Sequence, residues 1–201
     1  MSISISDGPF VTFAGIQGAP FQAQYERIDL EKLPDGKTLQ QIKTGVIYRD
    51  TYGRSRREIN TKTSSEVSSS ESTIIHDPIK QEAYFLETES KTFSTVSMPD
   101  VPVVGAEPSS NILENLSERG EYIGRQLIEG LNCYGYRVNQ SGDGVIEYWV
   151  AKEIQDVLLG KYTNSYKTIT MRLFDVRIIE PDSRMFTVSP EYKDISDANQ
   201  G

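Results

Sequence analysis

TIIHDPIKQEAYFLETESKTF, residues 73–93, decides the fold class. Ile74, Ile75, Tyr84 and Phe85 are strand formers, and Asp77-Pro78 supplies the opening positions of a type I turn. No segment between the turns is long enough for a stable helix, so the stretch reads as a β-meander of two short strands with a third leaving from Ser90. It carries little chemistry. His76, the one histidine of the chain, lies in it without a second metal ligand or an adjacent nucleophile.

The same pattern extends outward in both directions. Towards the N-terminus, Phe21, Ala23 and Tyr25 on one parity predict a strand over 20–33, and Asp35-Gly36 predicts a hairpin turn into a second run through Ile42, Val46 and Tyr48. A turn at 50–53 leads into a third strand over 54–61. There Arg54, Arg56 and Glu58 share one face and Arg57 and Ile59 the other, as a period of two requires. Residues 63–72 are serine-rich and read as a connection without regular structure.

Towards the C-terminus, Pro99, Pro102 and Pro108 predict an extended crossover over 98–110. Residues 111–119 predict one or two helical turns ending at Gly120. Strands are then expected over 122–129, 131–139, 145–154, 157–162 and 167–179, with Gly130 at a bulge or corner and a hairpin loop at 139–144. A helical turn at 181–185 and an extended tail close the chain. The fold class is therefore all-β: a curved antiparallel open sheet or half-barrel with one or two short helices. The expected organisation is a loose arm over 1–18 that adds at most one edge strand, a single β domain over 19–193 and a tail over 194–201.

Composition narrows the function. The chain has 201 residues, with 29 acidic against 21 basic side chains and a net charge of −8. That balance repels phosphate backbones and argues against nucleic acid as a partner. A single cysteine, Cys133, excludes an internal disulfide and every multi-cysteine metal site, and reads as a buried, inert thiol. No segment approaches the roughly 20 consecutive apolar residues of a transmembrane helix. The first residues have no positively charged n-region and no long apolar run, which implies a cytosolic protein or one whose targeting segment is missing from this chain.

No enzymatic site emerges from the motifs. His76 and Asp77 have the residue types of a base and its orienter, yet neighbours on a strand point to opposite faces. Asn139, Ser141, Asp143 and Gly144 imitate the start of a calcium loop, but position 12 is Val150 where a bidentate Glu is needed. Gly160-Lys161 lacks the upstream glycine of a phosphate loop, and no serine sits in a nucleophile elbow. The expectation is a non-enzyme with no metal and no cofactor.

Two residue sets remain. Arg49, Arg54, Arg56 and Arg57 form the densest basic cluster and suggest contact with an anion or a partner, against the plainer reading of a solvated pair of strands. Tyr84, Leu86, Phe93, Trp149, Leu173 and Phe174 supply large apolar side chains on neighbouring strands. They suggest an apolar or lipid-like ligand in a concave face, against the plainer reading of a sheet that fills its own interior.

YRDTYGRSRREI at 48–59, IIHDPIKQEAYFLETESKTF at 74–93, GRQLIEG at 124–130, YWVAKEIQDVLL at 148–159 and MFTVSPEY at 185–192 resemble, in this order, an uncharacterised family of exported bacterial proteins. The strand order is also distantly similar to the lipoprotein-carrier superfamily, whose half-open barrels hold acyl chains. Two features depart from those patterns: no long helix is expected here, and a second Asp-Pro becomes Glu87-Thr88. The resemblance implies an exported, periplasmic or extracellular, non-enzymatic β-protein. Its expected partner is a lipid or other apolar ligand, or an envelope protein, and it supplies no catalytic residue.

Overall fold

In the computed structural model, which describes residues 16–64, 69–98, 112–140 and 142–196, the chain forms one open sheet of 12 strands. Six strands run as a meander: β1 Phe21–Lys32, β2 Thr38–Arg49, β3 Ser55–Thr63, β4 Ser69–Asp77, β5 Glu82–Glu87 and β6 Thr92–Ser97. A short helix, α1 Ile112–Arg119, precedes a second meander of β7 Glu121–Ile128, β8 Leu131–Asn139, β9 Val145–Ala151, β10 Asp156–Thr163 and β11 Lys167–Arg177. A 3-10 turn, Ser183–Phe186, and a two-residue strand, β12 Lys193–Asp194, follow. The sheet order is β12-β6-β5-β4-β3-β2-β1-β11-β10-β9-β8-β7. The two meanders are therefore joined by antiparallel pairing of β1 with β11.

The turns follow local chemistry. In the β4–β5 turn, Asp77 Oδ1 accepts from the backbone N–H groups of Ile79 and Lys80, both at 3.1 Å, which pre-forms the turn anticipated at Asp77-Pro78. The loops at 78–81, 88–91 and 152–155 have the same length, and each ends in a polar residue with positive φ: Gln81 at 58°, Lys91 at 51° and Gln155 at 49°. Serine-rich residues 69–72, expected as connection, belong to β4 because they complete its ladder with β3. The strand expected over 167–179 stops at Arg177, and the crossover expected over 98–110 lies, from residue 99, outside the described residues. Of the expected arm and tail, residues 1–15 and 197–201 also lie outside them, while Ile16 is buried.

Gly130 is the second residue of a two-residue turn between β7 and β8. Glu129 and Gly130 have φ of 52° and 77°, the pair of positive values that a type I′ turn requires. A Cβ at Gly130 would meet nothing within 4 Å, so the constraint is backbone conformation and not space. Gly130→Val is expected to cost about 1–3 kcal/mol, because a β-branched side chain is strained at positive φ. A thermal melt measures this, and an unchanged midpoint would show that the turn tolerates a β-branched residue.

Side-chain parity divides the sheet into two faces. On the first, Phe21, Ala23 and Tyr25 of β1 meet Ile47 and Ile59 on one side and Leu173, Met171 and Ile169 on the other. Ile146 and Val150 of β9 continue this core, and α1 packs Ile112, Leu113 and Leu116 against it. On the opposite face, Ile75 and Leu86 form a smaller cluster with Phe186, Met185, Val188 and Tyr192 of the C-terminal segment.

The sheet curls towards the first face, and Arg49 gives the direction. Its guanidinium stands 4.7 Å from the Phe21 ring and donates to Ala19 O at 3.0 Å, to Ile154 O and to Asp156 Oδ2 at 3.2 Å. Strands β2 and β10 are three places apart in the sheet order, about 14 Å in a flat sheet, more than an arginine side chain spans. Only a sheet bent towards Arg49 brings the β9–β10 hairpin to it. The first face is therefore concave, and the face under the C-terminal segment is convex.

Candidate functional site

The four arginines expected as a patch are dispersed by the alternation of strand residues. Arg49 and Asp156 are each 1% exposed and form a buried ion pair. Burial pushes the Asp156 carboxyl up and the Arg49 guanidinium down from their ordinary values, while their mutual attraction opposes both shifts. Arg54 holds the β2–β3 turn through Asp50. The Asp50 carboxylate accepts from Tyr52 N and Arg54 N at 3.0 and 2.9 Å and from Arg54 Nε at 2.7 Å. Arg56 lies on the convex face, donating to Glu58 at 2.7 Å and to Met185 O at 3.2 Å. Arg57 lies on the concave face with Ile47 and Ile74. The stretch 48–58 is thus mainly structural.

The one cysteine and the one histidine of the chain are both enclosed. Burial and the neighbouring Glu153 raise the Cys133 thiol to about 11, which leaves it protonated at neutral pH. His76 is 5% exposed on the concave face, opposite Ser55 and Ala83, and neither ring nitrogen has a hydrogen-bond partner among the described residues. Burial lowers its pKa, the charge of Arg57 lowers it further, and Asp77 opposes both. A histidine whose folded pKa is depressed takes up fewer protons folded than unfolded. Stability is therefore expected to fall as pH drops below about 6.5, the unfolded value. His76→Leu should flatten that part of a denaturation series across pH, and an unchanged slope would assign it to other groups.

The six expected ligand residues do not line one concave cavity. Leu173 is 1% exposed in the concave-side core. By register the other five lie on the convex face, in three places. Tyr84, Leu86 and Phe93 come together in the cluster with Phe186 and Tyr192. Phe174 sits under the guanidinium of Arg172, 4.9 Å from its ring centre, and pairs with Gln24 of β1. Trp149 covers Gly135, where an added Cβ would meet its indole at 2.8 Å. The physical reason is elementary, since adjacent residues such as Leu173 and Phe174 cannot share a sheet face.

Between the Tyr84 cluster and Phe174 the convex face carries a groove of about 490 Å³ that the sequence did not disclose. Its floor includes Gln24 of β1, Thr44 and Val46 of β2, Arg56, Glu58 and Asn60 of β3, and Glu71 and Thr73 of β4. Thr88 from the β5–β6 turn and Tyr192 from the C-terminal segment form one wall, and Tyr192 belongs at the same time to the apolar cluster. Tyr192 is held there by Lys91, whose Nζ lies 5.1 Å from the ring centre and 3.3 Å from Glu191. Two features fit the groove for a ligand. Asn60 Oδ1 is buried without a partner among the described residues, while its amide nitrogen donates to Glu71 at 3.4 Å. Glu58 and Glu71 outnumber Arg56, so the floor carries a net negative charge. Among the described residues no group of three or more His, Cys, Asp or Glu side chains is placed to hold a metal ion, and no helix is long and apolar enough to cross a membrane.

Residues 37–168 match the family model described as a domain of unknown function, DUF4412. No curated protein matches the chain. Among solved structures, an uncharacterized conserved protein from Thermus thermophilus superposes with a TM-score of 0.54 at 8% identity, covering 89% of this chain and 90% of that one. A chain of the Pseudomonas aeruginosa MucA/MucB complex gives 0.43 at 10% identity over 86% of this chain, which spans only 56% of that one. A LolA superfamily protein from Nitrosomonas europaea gives 0.35 at 8% identity, with 84% and 90% covered. The Thermus protein shares the fold.

Proposed function

We propose that this chain, which belongs to the DUF4412 family, is a non-enzymatic binding protein of the cell envelope that holds an amphipathic ligand in its convex groove. The observation that carries this reading is the groove's two-sided chemistry: a hydrogen-bonding, net acidic floor that continues at Tyr192 into the apolar cluster of Phe93, Tyr84 and Leu86. Ligand sites combine apolar walls with a few placed polar groups, and this arrangement has both. The polar part of the ligand meets Glu58, Asn60 and Glu71; its apolar part lies along Tyr192. A head group with a positive charge or hydroxyl donors suits such a floor better than a bare carboxylate. Support for a non-enzymatic role comes from the enclosed Cys133 and His76. The protein works in the periplasm or outside the cell.

A titration with a fluorescent zwitterionic lysophospholipid tests the reading. Saturable binding is expected, weakened about tenfold, or 1.4 kcal/mol, by Tyr192→Ala and by Glu71→Lys with little change in melting temperature. A fluorescent fatty acid should bind more weakly than the lysophospholipid. The absence of saturable binding by either probe would sink the proposal. A second reading, a self-filled domain that only docks a protein partner, is favoured by one observation. The apolar side chains of the main core cluster on the concave face are already buried against one another and against α1. That reading would stand if no amphiphile binds.

A further inference from the structure

The two ends of the sheet are treated differently. At one end β12 covers β6 with a two-residue parallel pairing, so the chain's own C-terminal segment occupies that edge. At the other end, among the described residues, β7 is the terminal strand, paired only with β8, and five of its eight residues are exposed. Its outer row of backbone donors and acceptors is a template for another strand. Two of the large exposed apolar side chains of the molecule lie on it: Leu127, 71% exposed, and Tyr122, 55% exposed.

A bulge determines what fits there. The register between β7 and β8 shifts between Tyr122 and Gly124, where Gly124 has φ of 136°. Tyr122, Arg125 and Leu127 consequently pair with Tyr136, Tyr134 and Asn132, alternate residues of β8, and all three lie on one face. Without the bulge, Tyr122 and Leu127, an odd number of residues apart, would point to opposite faces. Arg125 is held down on this face by the Tyr134 ring at 5.8 Å and by Asn132 Oδ1 at 2.8 Å, which leaves Tyr122 and Leu127 at its two ends.

We propose that β7 pairs antiparallel with β7 of a second copy of this chain, in the register that sets Leu127 opposite Tyr122. This register overlaps the whole strand and matches faces at every pair except the central step, Gly124 with Arg125, where the bulge falls. Tyr122 of each copy then covers Leu127 of the other, so the contact occurs twice and both exposed apolar residues leave water. The pair is isologous and closed, which limits it to a dimer with a continuous sheet and does not lead to a fibre.

Sedimentation velocity of the full chain over a range of concentrations tests this. A monomer–dimer equilibrium is expected, with Leu127→Lys and Tyr122→Glu each shifting it to monomer while circular dichroism and melting temperature stay near those of the parent. The double variant L127K/Y122E places opposite charges at both contacts and should dimerise again. A parent that is monomeric at every concentration overturns the proposal, and so does a dimer indifferent to both single variants. Failure of the double variant to recover overturns the register.

Discussion

Arg49→Met is expected to lower the stability of the fold by about 3–5 kcal/mol, the usual cost of breaking a buried ion pair from one side. Three losses coincide. Asp156, 1% exposed, is left buried without its counter-ion, and the carbonyls of Ala19 and Ile154 lose their donor. The β9–β10 hairpin is also released from the β1–β2 end, so the curl of the sheet loses its tie. The double variant R49M/D156L should recover much of the loss, since replacing a buried pair by apolar side chains is often neutral. Urea denaturation of the parent, the two single variants and the double variant supplies the coupling energy. A loss below about 1 kcal/mol in R49M would be the size of an exposed ion pair and would contradict the tie.

Gly45→Ala is expected to be comparably severe for a different reason. Gly45 of β2 faces Tyr25 and Ile59 on the concave side, and a Cβ there would overlap the Glu58 carbonyl oxygen and lie 2.9 Å from its carbon. Those atoms are backbone and cannot rotate away, so β2 and β3 must separate or shift. Overpacking of a well-packed site ordinarily costs about 1–3 kcal/mol, and a clash with a ladder carbonyl belongs at or above the upper figure. Thr44, Val46 and Glu58 flank this point on the convex side, so lysophospholipid binding should weaken together with stability. A G45A protein that melts with the parent would mean that the two strands lie farther apart than described.

Much of the fold is legible in the sequence because its determinants are local. Asp77-Pro78, Asp35-Gly36 and Gly130 mark turns through their own backbone preferences, and the parity of Arg56 and Glu58 against Arg57 and Ile59 survives intact in β3. Long-range geometry is not legible in the same way. Arg49 and Asp156 are separated by 107 residues, and nothing near either one signals a buried partner. A cluster of arginines beside acidic residues reads as a solvated surface until curvature brings β10 within reach. The groove is hidden for a related reason: its floor comes from β1–β4, but its wall is Tyr192, carried across the convex face by a segment that the sequence presents as an extended tail. One separation was available from sequence and needed no structure. Leu173 and Phe174 are neighbours on a predicted strand, so parity alone puts them on opposite faces.

The most direct test of the central claim is photo-labelling with a lysophospholipid that carries a diazirine in its acyl chain, followed by mapping of the modified peptides. The account predicts saturable labelling on the convex face, concentrated in the peptides that contain Thr88, Phe93 and Tyr192 and reduced by Tyr192→Ala. Labelling centred on Ile146, Val150 or Leu173 would place the ligand in the concave core and contradict it.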